Sequence, residues 1–193
     1  MPTVELLWIP LGAGQHVVRI SGRIFEALLA IVQRRRACDL YHSALVVTVA
    51  DGRYTIEMTP VSDQHGDRRG VVAGGVVGST LLGKLRVFRY EIHCWRNGVI
   101  PDADHAAAIT TLQLDVTDAQ RLLDLVKSVP TPVWGRNELD AGEMWNSNSV
   151  TSWVLRSAGI DTSQLAPPNG GRAPGWGAGL VVAARRATSI DTS

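Results

Sequence analysis

Apolar, β-favouring residues run through Val4-Glu5-Leu6-Leu7-Trp8-Ile9 and stop at Pro10 and Gly12-Ala13-Gly14, which predicts a first strand and a turn. The Gly12-x-Gly14 pair lacks a third glycine and a following Lys-Ser/Thr, so a plain turn is the expectation rather than a phosphate cradle. Ser21 can cap a helix over residues 22–36, where Ile24, Phe25, Leu28, Leu29, Ile31 and Val32 recur at helical spacing and should pack on a sheet. Two β-rich runs follow, Tyr41–Val49 and Tyr54–Thr59, joined through Ala50-Asp51-Gly52-Arg53. Asp-Gly between such runs predicts a hairpin. With Asp51-Gly52 as the two turn residues, Glu57 would stand opposite Val46, on the face of His42 but two pairs away from it.

Residues 62–70 form a polar loop, and Val71–Ser79, apolar and glycine-rich, predicts a short strand with a bend or a loop lying close to other backbone. Residues 85–95 alternate and predict a long strand ended by Asn97-Gly98. Thr117-Asp118-Ala119-Gln120 has the pattern of a capping box, opening a helix through Leu122, Leu123, Leu125 and Val126 that stops before Pro130. An extended connector, Pro130–Gly135, leads to Trp145-Asn146-Ser147-Asn148-Ser149, a polar knot that runs into a helix burying Val150, Trp153, Val154 and Leu155 and ending at Gly159. Residues 166–179 are loop by composition, with Trp176 packed on the body. Leu180–Ala184 suggests an edge strand, and residues from about 185 to 193 a frayed tail.

Composition narrows this picture. A chain of 193 residues fits a single domain, residues 1–193, with a core that needs no metal or disulfide. Its net charge of +1 gives no reason to expect nucleic acid, and Arg34-Arg35-Arg36 suits the solvated end of a helix. Two cysteines, Cys38 and Cys94, make no disulfide framework, and reduced thiols are expected. His93 and Cys94 are adjacent on a strand and so point apart, which argues against a shared metal or a catalytic pair. The first residues do not resemble a signal peptide, and no apolar run approaches the roughly 18 residues of a membrane span. A cytoplasmic location is expected, although leaderless export would leave the same sequence. No integral membrane segment, metal or cofactor is expected.

Nucleophilic catalysis needs a nucleophile, a base within reach and a group that orients the base. Ser147 stands at a helix start, where unpaired N–H groups and the positive end of the helix dipole favour a developing oxyanion. Ser147 is either that nucleophile or a helix cap. His42 and Glu57 on the hairpin are the candidate base and orienter. Cys94 or Cys38 would be a displaced nucleophile.

Tyr41-His42-Ser43-Ala44-Leu45-Val46-Val47, the Asp51-Gly52 turn and Tyr54-Thr55-Ile56-Glu57-Met58-Thr59-Pro60 resemble the histidine hairpin of the NlpC/P60 papain-like superfamily. In its circularly permuted branch, which includes the YiiX-like and lecithin:retinol acyltransferase-like proteins, this hairpin precedes the nucleophile helix, as it does here. Asn146-Ser147-Asn148-Ser149-Val150 resembles the permuted nucleophile motif, with serine in the place of cysteine. The resemblance covers residues 38–60 and 140–160. It implies an α+β, permuted papain-like fold, an antiparallel sheet packed against helices that include the nucleophile helix. Ser147 would then be nucleophile, His42 general base and Glu57 orienter, with Asn146, Asn148 and Trp145 lining the oxyanion and substrate site.

A serine hydroxyl has no thiolate reserve and must lose its proton to the base during attack, so such a site would depend closely on His42. The implied activity is hydrolysis or acyl transfer on an ester or amide through an acyl-serine. A lipid or acylated small molecule is favoured as substrate, as the resemblance to acyltransferase-like proteins implies and as Trp134, Trp145 and Trp153 near the motif would suit. The alternative is a catalytically inactive module whose groove holds an acyl chain, a peptide or a protein partner.

Overall fold

A computed structural model describes residues 1–11, 38–61 and 70–191. The helix expected over residues 22–36, the Gly12–Gly14 turn, the Arg34–Arg36 run and nearly all of the polar loop at 62–70 lie outside the described residues. The described chain is α+β, with six strands, β1 (Thr3–Pro10), β2 (Tyr41–Val49), β3 (Gly52–Pro60), β4 (Val71–Val76), β5 (Arg89–Arg96) and β6 (Ala108–Gln113). Three helices follow them, α1 (Val116–Leu125), α2 (Ser147–Ser157) and α3 (Trp176–Asp191). The strands form one antiparallel sheet in the order β4-β5-β3-β2-β1-β6.

The two faces of this sheet differ. On the inner face Val4, Leu6 and Trp8 of β1, Tyr41, Leu45 and Val47 of β2, Ile56 and Met58 of β3, and Tyr90 and Ile92 of β5 pack with Leu122 of α1 and Val150, Trp153 and Val154 of α2 in the main core. On the outer face Leu7, Ile9, Ala44 and Val46 form a smaller cluster with Ile100, covered by Ala103 and Ala106 of the segment after β5. Alternation along each strand produces this division. α2 lies between the sheet and α3, and every residue from Ser147 to Leu155 is buried.

Several elements depart from the expectations drawn from sequence. The hairpin turn is Ala50-Asp51, because Val49 pairs with Gly52 and Leu45 with Ile56. Gly52 begins β3 at φ 151°, a conformation L residues rarely adopt, and Asp51 is pinned by the Tyr54 hydroxyl at 2.9 Å and by Arg96, which donates to its carbonyl. Continuing the same count places Glu57 level with Ala44, one pair nearer His42 than predicted. α1 is capped two residues before the Thr117 box, by Asp115, whose Oδ1 accepts from the Asp118 N–H at 2.7 Å. β5 starts at Arg89, after a short 3-10 turn over Arg86–Phe88. β6 was not anticipated; it is an edge strand beside β1 with no fully buried residue, so its apolar pattern is weak.

The largest correction is α3, which replaces Trp176–Gly179 of the expected loop, the expected edge strand and the frayed tail as far as Asp191, while residues 166–175 are irregular as expected. A five-residue apolar run such as Leu180–Ala184 suits strand or helix, and tertiary contact decides between them. Here the deciding contact is close approach to α2. A Cβ added to Gly179 would stand 2.2 Å from the Ser149 carbonyl oxygen and 2.1 Å from Ser152 Oγ. A Cβ on Gly177 would meet only the end of the Glu143 side chain, at 3.3 Å. Gly179→Ala should therefore lose about 1–3 kcal/mol despite the better helix propensity of alanine, whereas Gly177→Ala should be neutral or gain up to about 1 kcal/mol. Urea unfolding midpoints of the two variants check this.

Candidate functional site

The first turn of α2 is a polar fastening. Asn146, in extended conformation, caps the helix: its Oδ1 accepts from the N–H groups of Asn148 at 2.9 Å and Ser149 at 3.3 Å, while Ser149 Oγ accepts from the Asn146 N–H at 3.1 Å. The Asn146 amide also donates to the Pro174 carbonyl at 2.8 Å. The Asn148 amide donates to the carbonyls of Tyr41 at 3.0 Å and Pro174 at 2.9 Å, and its Oδ1 accepts from Ser43 Oγ at 2.8 Å. Ser149 Oγ donates to the Gly175 carbonyl at 2.8 Å and Ser152 Oγ to that of Trp176 at 2.7 Å. Thus α2 joins the start of β2 to the segment entering α3. That segment also runs beside β2, with Tyr41 N–H donating to the Arg172 carbonyl at 2.8 Å.

Ser147 is the exception. It is the first residue of α2 and is buried, yet among the described residues neither its Oγ nor its N–H has a hydrogen-bond partner. Its neighbours leave little for a substrate. Both amide hydrogens of Asn148 are spent on backbone carbonyls, so that side chain offers no donor to an oxyanion, contrary to the role the family resemblance implied. Trp145 is buried in the main core, its backbone paired with Gly135 and Arg136, so it lines no exposed surface.

The structure brings His42 and Glu57 to one face and places Ser147 on the other. Ser43 points toward α2, as its bond to Asn148 shows, and Tyr41 belongs to the main core. His42, between them, must point outward, beside its β1 partner Ile9 of the outer cluster. Glu57 lies between Ile56 and Met58, both inner, and so faces outward as well. The three proposed triad members therefore do not meet.

The outer face instead carries a group of titratable residues. Glu57 pairs across strands with His93, whose Nε2 lies 3.6 Å from Glu91 Oε2, and Asp102 in the covering segment interacts with both His42 and Glu57. Burial lowers the pKa of His42, opposed by the negative charge of Asp102, so the imidazole tends to stay neutral. Burial, reinforced by Asp102, pushes the Glu57 carboxyl up from 4.5 to about 7. Asp102 carried no sequence signal, since it sits in an irregular segment after Asn97-Gly98 with no periodicity to place it.

His93 and Cys94 do point to opposite faces, with Ile56 opposite Cys94 and Glu57 opposite His93. Burial raises the Cys94 thiol to about 11, which leaves it protonated and a poor nucleophile. Cys38 and Cys94 are both free. Among the described residues no group of three or more His, Cys, Asp and Glu side chains is placed to hold a metal ion. No helix there is long and apolar enough to cross a membrane.

Two measurements separate fastening from chemistry at these positions. Asn148→Asp removes both amide donors, takes from the Tyr41 carbonyl its side-chain partner and sets a buried carboxylate against the carbonyls of Tyr41 and Pro174, so it should cost about 2–4 kcal/mol in urea unfolding, while Ser147→Ala should stay within about 0.5 kcal/mol of the parent. On the outer face, a carboxyl whose pKa is raised on folding contributes stability at low pH that is lost as it ionises. Glu57→Gln should match the parent near pH 4.5 and gain progressively as pH rises through 7, by up to about 3 kcal/mol. No family model, curated protein or solved structure matches the chain.

Proposed function

We propose that this chain is a binding module on a permuted papain-like scaffold, one that holds an acyl chain, a peptide or a protein partner without cleaving it. The observation that carries this reading is that the sheet separates Ser147 from His42. A serine hydroxyl is a weak nucleophile until a base within hydrogen-bond reach, about 2.6–3.2 Å, takes its proton. Side chains on opposite faces of a sheet point apart and cannot meet that condition. The surrounding amides support the same reading, because they are committed to holding β2, α2 and the segment before α3 together.

A second reading keeps the chemistry: a serine hydrolase or acyltransferase working through acyl-Ser147 on a lipid or acylated small molecule, with His42 as base and Glu57 as orienter. It is favoured by one feature, the unengaged Oγ and N–H of Ser147 at a helix N-terminus. That reading requires the start of β2 to turn His42 inward. A fluorophosphonate probe discriminates between the two. The binding module should show no Ser147-dependent labelling in folded protein; labelling that disappears in both Ser147→Ala and His42→Ala would establish the hydrolase instead.

A further inference from the structure

The connection between β4 and β5 carries a feature that neither reading uses. Its base is closed by the Val77 N–H donating to the Phe88 carbonyl at 2.8 Å and by the pairing of Val76 with Arg89. Val77 and Gly78 are anchored on Trp134, and Arg136 donates to the Gly78 carbonyl. Gly83 lies so close to β4 that an added Cβ would stand 2.3 Å from Val76 Cγ1. The loop is therefore folded against the sheet edge.

From that base it turns apolar side chains outward. Leu81, Leu85 and Val87 are 87%, 55% and 67% exposed. Lys84 and Arg86 alternate with them and Arg89 follows at the base, all exposed, and no Asp or Glu occurs anywhere from Gly70 to Tyr90. Lys84 and Arg89 thus set two exposed cations beside the three apolar side chains. Other exposed apolar residues, such as Val99 and Val116, are scattered singly and call for no explanation.

We propose that this loop docks the protein on an anionic lipid surface, Leu81, Leu85 and Val87 entering the headgroup boundary while Lys84 and Arg89 meet lipid phosphates and carboxylates. Charge complementarity favours a bilayer, since interleaved cations and apolar residues suit an interface that offers both. The inference holds whether or not Ser147 reacts.

Co-sedimentation of the full chain with phosphatidylcholine vesicles, with and without phosphatidylserine, tests it. Binding should require phosphatidylserine and weaken at least about tenfold between 0.1 and 0.5 M salt as screening shortens the reach of each charge. Lys84→Gln should weaken it about fivefold. The double variant Leu81→Ser/Leu85→Ser should weaken it at least about tenfold with an unchanged circular dichroism spectrum and melting temperature, since both side chains are exposed. Equal sedimentation of parent and variants, binding to neutral vesicles alone, or no binding at all would overturn the proposal. Absence of vesicle binding combined with self-association lost in the double variant would overturn it in favour of a protein contact.

Discussion

The structure depends on the burial of a polar helix start. Between Asn146 and Ser152 the chain places Asn, Ser, Asn, Ser, Thr and Ser where a core would ordinarily hold aliphatic side chains, and all but Asn146 are buried. Each polar group left unpaired there would cost about 1–3 kcal/mol. The carbonyls of Tyr41, Pro174, Gly175 and Trp176 accept from these side chains, and those carbonyls belong to segments far apart in sequence. The same bonds that make burial tolerable therefore fix how β2, α2 and α3 sit together. Gly175 and Gly179 complete the arrangement by letting the α3 backbone approach where a side chain would not fit.

Strand alternation sets the next constraint. His42 and Ser43 are neighbours on β2, so only one of them can face α2, and it is Ser43 that does, bonded to Asn148. His42 is thereby turned toward the covering segment that holds Ile100, Asp102 and Ala103. There it shares a partly buried environment with Glu57 and Asp102. Burial shifts the two groups in opposite directions, favouring a neutral imidazole and a protonated carboxyl. A neutral pair of this kind is a comfortable way to line a covered sheet face, and it puts no charge within reach of the α2 terminus.

How much of this was legible in the sequence follows from the range of the forces involved. Local signals placed β1, the β2–β3 hairpin, the end of β5 at Asn97-Gly98 and the start of α2, because turn residues and strong periodicity act within a few positions. The residue-level site was harder. A hairpin register differs by one pair according to which two residues form the turn, and Gly52 serves as the first strand residue instead of the second turn residue. Which of two adjacent strand residues faces a helix distant in sequence has no local signature at all. α3 was obscured for a similar reason: glycines that suggest a loop are here the means of close helix packing.

Serine suits position 147 better than cysteine would in this setting. A cysteine at the first position of a helix, next to a histidine, would be driven toward thiolate by the dipole, and a buried thiolate amid committed amides would be both reactive and costly. A serine at the same position stays neutral, has a single O–H to donate, and leaves the fastening around it undisturbed. The asparagines on either side satisfy the helix end and the neighbouring carbonyls without it. With the imidazole turned to the other face, no side chain among the described residues is hydrogen-bonded to Ser147 Oγ to take its proton. The residue is thus compatible with the scaffold on steric and polar grounds alone, and chemistry is the property that would require a further rearrangement.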